Sequence, residues 1–194
     1  MTRKPAGAAV LQQDVTDAIA TAAFAELAET GYGRLSIESV ARRAGVGKTA
    51  VYRRWSSKQA MVMDLITQVA VRAADTPDTG TLRGDVLAFL TITDQALRHP
   101  LVARIVPDMF AEATRSPEVA VVLREQVGGA RRNKVAAILY RAIERGELPA
   151  DTDIELGLDL LAGPLYWGVN ISQAPPSPER TQRLADKIIA ALAA

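Results

Sequence analysis

Apolar residues recur along this chain at spacings of three and four, and no stretch alternates apolar and polar positions between turn signals. The pattern predicts an all-α protein of about nine helices. The first carries Ile19, Ala22, Ala23 and Leu27 on one face and ends at Thr30-Gly31, where glycine tolerates positive φ. Ser36 precedes a short stripe of Ile37, Val40, Ala41 and Ala44. Gly45-Val46-Gly47 breaks that stripe, and a second short helix is expected over Lys48 to Trp55. Ser57 caps a helix from Lys58 to about Ala74. After the loop Thr76-Pro77-Asp78-Thr79-Gly80, Thr81 caps a helix with Val86, Phe89, Leu90, Thr93 and Leu97 on one side, and Pro100 opens the next. Ser116-Pro117-Glu118 and Ser177-Pro178-Glu179 each combine a cap, a proline in the first turn and an acid near the positive helix end. The helix after Ser116 is expected to reach about Arg145, where Gly146 stops it, and Asp153 starts another that runs to Ile171.

Composition removes several chemistries. The chain has no cysteine, which excludes disulfides, thiolate metal sites and a cysteine nucleophile. Its one histidine, His99, sits in Arg98-His99-Pro100 between two helical patterns, the position of a helix C-terminus. An HExxH protease is impossible, and a Ser-His-Asp triad would have to use that residue. No cofactor or metal is expected. The N-terminal segment is too briefly apolar for a signal peptide, and the most apolar run, Leu160 to Ile171, is short and holds Gly163-Pro164 and Asn170. A soluble cytoplasmic protein without membrane contact is expected.

Charge is unevenly placed. The net charge is +1, yet residues 1–60 hold nine basic and five acidic side chains, and 61–194 hold fourteen and seventeen. Between Tyr32 and Ala60 there are seven basic residues (Arg34, Arg42, Arg43, Lys48, Arg53, Arg54 and Lys58) against Glu38 alone. Such a footprint suits a polyanion; the alternative is a solvated charged face or a basic face that docks an acidic protein.

Within that footprint, Gly47-Lys48-Thr49 has the ending of a phosphate-binding loop. A P-loop of a small NTPase needs GxxxxGK[ST] between a strand and a helix. The first glycine would fall at position 42, which is Arg42, and the preceding residues have helical rather than strand periodicity. Two short helices joined by a glycine turn fit better: Ile37 to Ala44 and Lys48 to Trp55, the helix-turn-helix arrangement. At 100° per residue, Val51 and Trp55 face inward while Thr49 and Arg53 point nearly opposite, flanked by Ala50 and Tyr52 and bordered by Lys48 and Arg54. That outer face suits a major groove. Thr49 and Ala50 are candidates for base edges and Arg53 for guanine or a phosphate; Tyr52, Arg54 and Lys58 for backbone phosphates; Arg34 for the adjacent minor groove; Ser36 and Lys48 complete the candidate set.

Gly31-Tyr32, Leu35-Ser36-Ile37-Glu38-Ser39-Val40-Ala41, Ala44-Gly45-Val46, Val51-Tyr52-Arg53 and Ser57-Lys58-Gln59-Ala60-Met61 resemble the N-terminal domain of the TetR family of transcriptional regulators. The resemblance covers about Ile19 to Met61. It implies that the third helix enters the major groove and that Tyr52 and Lys58 meet phosphates. Gly47 replaces a serine-like cap, Ala50 stands where threonine is common, and Trp55 replaces a phenylalanine.

The resemblance further implies a homodimer on double-stranded DNA, with a variable helical domain that senses a small-molecule effector. A DNA-binding domain over 1–60 and a ligand-binding and dimerisation domain over 61–194 are expected. Gly146-Glu147-Leu148-Pro149 and Leu160-Leu161-Ala162-Gly163-Pro164-Leu165-Tyr166 resemble one subgroup of that C-terminal domain. Phe89, Ile92, Met109, Phe110, Tyr140, Leu161, Tyr166 and Trp167 are candidates for an apolar pocket, or for plain core, with Asp108, Glu112 and Arg131 as polar candidates. Leu160, Trp167, Leu184, Ile188 and Leu192 are candidates for the dimer interface, the alternative being that they complete the monomer's own core. The expected function is a ligand-responsive repressor that binds a near-palindromic operator and is released by a small apolar ligand.

Overall fold

The structure, a computed structural model, describes residues 7–72 and 76–193. Among them lie ten α-helices and no strand: α1 (Gly7–Arg34), α2 (Ile37–Arg43), α3 (Lys48–Tyr52), α4 (Lys58–Arg72), α5 (Leu82–Arg98), α6 (Pro100–Ala113), α7 (Pro117–Val122), α8 (Gly129–Glu144), α9 (Ile154–Tyr166) and α10 (Pro178–Leu192). The expected end of α4 at Ala74 falls outside the described residues.

The polar punctuation works as expected. Ser36 accepts the Ser39 N–H, and Ser39 answers by accepting the N–H of Ser36, a capping box. Thr81, Ser116, Asp153 and Ser177 accept N–H groups in the first turns of α5, α7, α9 and α10. Two expected helices are subdivided. Leu123–Gly128 widens into a π-helical segment between α7 and α8, next to Gly128-Gly129, the weakest helix-forming pair of that run. Trp167–Ile171 does the same after α9, which carries Pro164 inside it.

The chain divides into two compact units. One comprises the described residues to Ile66 together with Arg104–Leu123; the other comprises Thr67–Ala103 and the described residues from Arg124 onward. The sequence suggested one cut near residue 60, whereas the first unit takes in a second stretch. The reason is apolar: Ile105, Met109 and Val119 are buried in the same cluster as Ile19, Leu27, Val40, Val51 and Trp55.

At the end of α1 the helix turns at Gly31, whose φ of 74° is the left-handed conformation. A Cβ built there would lie 2.9 Å from Asp108 Oδ1, so this glycine also makes room for a carboxylate.

The second unit is organised around α5, which packs against α8, α9 and α10. Leu82, Val86, Phe89, Leu90 and Leu97 join Ile138, Leu139, Leu161, Leu165 and Ile188 in its core. Asp85, fully buried, accepts from Thr79 N at 2.6 Å and Thr79 Oγ1 at 2.8 Å. Arg145 and Arg141 lie 3.4 and 3.6 Å from its other oxygen. Burial raises the carboxyl pKa, but the Thr79 bonds and the two guanidinium groups outweigh it and hold the group below the ordinary aspartate range. The loop before α5 is thereby fastened to α8, and Arg141 also donates to Pro77 O at 2.6 Å.

Two measurements check these contacts. Gly31→Ala is expected to lower unfolding stability by about 1–3 kcal/mol in denaturant melts, through positive φ and the Asp108 clash. Gly33→Ala, with nothing within 4 Å of the new methyl, is expected to be neutral or slightly stabilising. Asp85 has a depressed folded pKa, so its stabilisation is present above about pH 4 and is lost as pH falls through the lower folded value. Asp85→Asn is expected to cost roughly 1–3 kcal/mol at neutral pH and to flatten the acid limb of the stability profile.

Candidate nucleic-acid interface

The site begins with a buried anchor. Val51 is fully buried and Trp55 nearly so, and Trp55 Nε1 donates to Asp64 Oδ2 at 2.8 Å. Gly45 makes the turn between α2 and α3 at φ 68°, while Val46 packs partly buried against the core. With Val51 held inward, Lys48, Thr49, Tyr52 and Arg53 are exposed and Ala50 is partly buried. Tyr52 shows 54% of its surface. The segment before Gly47 is helix α2, so the strand that a P-loop requires is replaced by a helix.

Arg43 fastens α2 to α1. Its Nε donates to Glu26 Oε1 at 2.7 Å and its Nη1 to Glu29 Oε1 at 2.9 Å. The hydrogen-bonded guanidinium holds the Glu29 carboxylate below its ordinary range, and the same bond pushes Arg43 up. Lys48 Nζ pairs with Glu38 Oε2 at 2.8 Å, bridging the start of α3 to the first turn of α2. That bond likewise lowers Glu38.

Arg54, expected at a phosphate, carries a structural role. Its Nε donates to Thr16 Oγ1 at 2.7 Å, Nη1 to Ala50 O at 2.8 Å and Nη2 to Gln12 O at 2.9 Å. Three of its five N–H groups therefore point into the protein. It is a strut between the recognition segment and α1, with two N–H groups outside these bonds. Nothing local in the sequence pairs Thr16 or Gln12 with Arg54.

Lys58 lies at the start of α4, half-buried. Its ammonium donates to Tyr32 O at 2.9 Å and Gly33 O at 3.4 Å, and sits 4.5 Å from the centre of the Tyr32 ring. Burial raises the Tyr32 phenol, with smaller contributions from the carboxylates of Glu112 and Glu118. Arg34 is exposed, with Nε on Thr30 O at 3.1 Å. Ser36 is exposed while serving as the α2 cap.

The effector candidates are divided between the two units. Met109 is buried in the first unit's core and Phe110 is exposed on the same helix, whereas Phe89 and Leu161 lie deep in the second unit's core. Ile92, Tyr140 and Trp167 are exposed, and Tyr166 is partly buried. Of the polar candidates, Asp108 accepts from Tyr32 N and Glu112 pairs with Arg115, both in the first unit, while Arg131 donates to Thr93 Oγ1 at 3.3 Å in the second. Of the eight, Met109, Phe89 and Leu161 have the core placement that the sequence also allowed, and the others are exposed or partly buried within their own unit. Apolar character alone marks burial, and here it marked burial in two places. A small cavity of about 20 Å³, lined by Asp94, Arg98, Pro164, Leu165, Gly168 and Arg180 among others, lies elsewhere in the second unit.

Two interface candidates have the placement of the monomer's core. Ile188 and Leu192 are buried in the second unit's core beside Ala185, because that stripe of α10 packs on its own chain. Leu160 and Leu184 are partly buried against the same core. Trp167 is 61% exposed, and on the same stretch of chain Leu156 is 56% and Ile171 53% exposed.

Residues 19–65 match the family described as bacterial regulatory proteins, tetR family, and residues 76–188 match the tetracyclin repressor-like C-terminal domain. An HTH-type transcriptional regulator of Mycobacterium tuberculosis is 34% identical over 164 residues, covering 84% of this chain and 80% of its own. The DNA-binding transcriptional repressor TetR of Mycobacteroides abscessus is 28% identical over 181 residues, covering 90% and 92%. Among solved structures, the TetR family transcription regulator SCO0332 superposes with a TM-score of 0.73 at 28% identity, covering 91% of this chain and 97% of that one. An exposed helix on a glycine-turned, buried scaffold and two family domains spanning most of the sequence lead to one conclusion: the chain belongs to the TetR family, DNA-binding transcriptional regulators rather than enzymes, with a ligand-binding C-terminal domain.

Proposed function

We propose that this protein is a repressor that binds a near-palindromic operator as a homodimer in the cytoplasm and is released by a small apolar ligand. The observation that carries the DNA-binding half is the outward face of α3: Thr49, Tyr52 and Arg53 exposed together above a buried Val51. Thr49, Ala50 and Arg53 have the chemistry for base edges, and Tyr52, Lys58 and Arg34 for the sugar-phosphate backbone. Lys48 adds positive charge at the rim, partly offset by Glu38.

Dimerisation is supported by the exposed Trp167, Leu156 and Ile171, large apolar side chains around the α9 segment of the second unit. A two-fold molecule can present two recognition helices to half-sites about one helical turn, roughly 34–36 Å, apart. An effector that binds better to a conformation with a different helix spacing weakens operator binding, and by linkage DNA weakens effector binding equally. The repressor reading is supported by the similar repressor from Mycobacteroides abscessus.

Mobility shifts on the DNA upstream of its own gene test the reading. Affinity is expected to fall steeply with salt, and binding that ignores salt overturns it, because phosphate contacts release counterions. Tyr52→Ala is expected to weaken specific and random duplexes alike by about tenfold, while Thr49→Ala redistributes preference at one base step, worth roughly 1–3 kcal/mol between sequences. Trp167→Arg is expected to shift the protein to monomer in analytical ultracentrifugation and to remove tight operator binding; a W167R variant that stays dimeric excludes this surface as the interface.

A further inference from the structure

Tyr32 uses its backbone in two directions. Its N–H donates to Asp108 Oδ2 at 2.8 Å, and its C=O accepts from Lys58 Nζ at 2.9 Å. The aromatic ring of the same residue lies under the Lys58 ammonium. One residue of α1 therefore stands between a carboxylate of α6 and a cation of α4, all three within the first unit.

The approach of Asp108 is built into the local structure. Gly31 adopts φ 74°, and any Cβ at that position would crowd Asp108 Oδ1 at 2.9 Å. The neighbours Ile105 and Met109 on α6 are buried in the core that also holds Leu27, Tyr32 and Leu35. The helix that carries the carboxylate is thus seated by apolar contacts on the element it caps.

The lysine is held without being neutralised. Among the described residues no carboxylate lies within ion-pair distance of Lys58, whereas Lys48 spends its charge on Glu38. Carbonyl oxygens of Tyr32 and Gly33 fix the ammonium at the negative end of α1 but leave its full charge and a further N–H for an anion. Where that ammonium sits depends on where the Tyr32 backbone sits, and the Tyr32 N–H is fastened by Asp108.

We propose that Asp108 is a positioning residue for DNA binding: by holding the Tyr32 backbone it places the Lys58 ammonium where that lysine meets a phosphate. This rests on the regulator reading above. Asp108 itself touches no DNA; it acts through Tyr32 and Lys58.

The test is a double-mutant cycle on the full-length protein, read as the salt dependence of binding to a short random duplex and to the DNA upstream of its gene. Asp108→Ala is expected to weaken both by about tenfold and to make the slope of log affinity against log salt shallower by about one, the signature of one lost phosphate contact. Lys58→Gln is expected to do the same. The double variant is expected to be no weaker than Lys58→Gln alone. Asp108→Asn, whose amide oxygen can accept the same N–H, is expected to keep the wild-type slope. A merely structural role would lower the melting temperature without moving that slope. The inference is overturned if D108A keeps the wild-type slope, if the two losses multiply in the double variant, or if K58Q leaves the slope unchanged. If D108A does not fold, Asp108→Glu, which displaces the carboxylate by one methylene, supplies the same readout. A wild-type protein that shows no salt-dependent DNA binding sinks the regulator reading itself, an outcome distinct from any of these.

Discussion

A helix of five residues cannot hold itself in water, because its nucleus costs more than so few hydrogen bonds return. α3 is such a helix. Its existence and direction are imposed from outside, by Val51 and Trp55 in the core and by Arg54 reaching back to Thr16 and Gln12 of α1. Arg43 fixes α2 to Glu26 and Glu29 of the same helix. Two arginines on either side of the turn thus tie the recognition segment to α1. What remains outside is a fixed platform of Thr49, Tyr52 and Arg53, and a surface that is ordered before it binds loses less entropy on binding.

The second unit solves a different problem with a similar device. Asp85 is a charge taken fully out of water, which is expensive unless its lone pairs are used. Thr79 and two arginines use them, and the Glu147 carboxylate accepts the Leu82 N–H at 2.7 Å. The apolar stripe of α5 supplies contact with α8, α9 and α10, while the buried carboxylate fixes how the chain enters that helix.

Much of this was legible in the sequence because caps and apolar spacing are local. Ser36, Thr81, Ser116, Asp153 and Ser177 announce helix starts through their own side chains. The inward direction of Val51 and Trp55 follows from angle alone. Arg54 was harder: a helical wheel gives a side chain's direction, not the acceptors within its reach, and those lie 38 and 42 residues away in sequence. Ile188 and Leu192 show the same limit, since an apolar stripe says that a face is covered and not by what. The π-helical segments at Leu123–Gly128 and Trp167–Ile171 leave the helical pattern almost intact and are nearly silent in sequence. The membership of Arg104–Leu123 in the first unit depends on contacts made across long separations, such as Tyr32 with Asp108.

That membership bears on how such a chain can be inherited in pieces. The helix-turn-helix segment reads in sequence as a detachable cassette, yet Ile105, Met109 and Val119 complete the core beneath it. A recombination that exchanged only the N-terminal segment between relatives would leave α1 seated on a foreign α6, with Gly31 facing whatever side chain replaced Asp108. An exchange that kept this core intact would have to carry both stretches together.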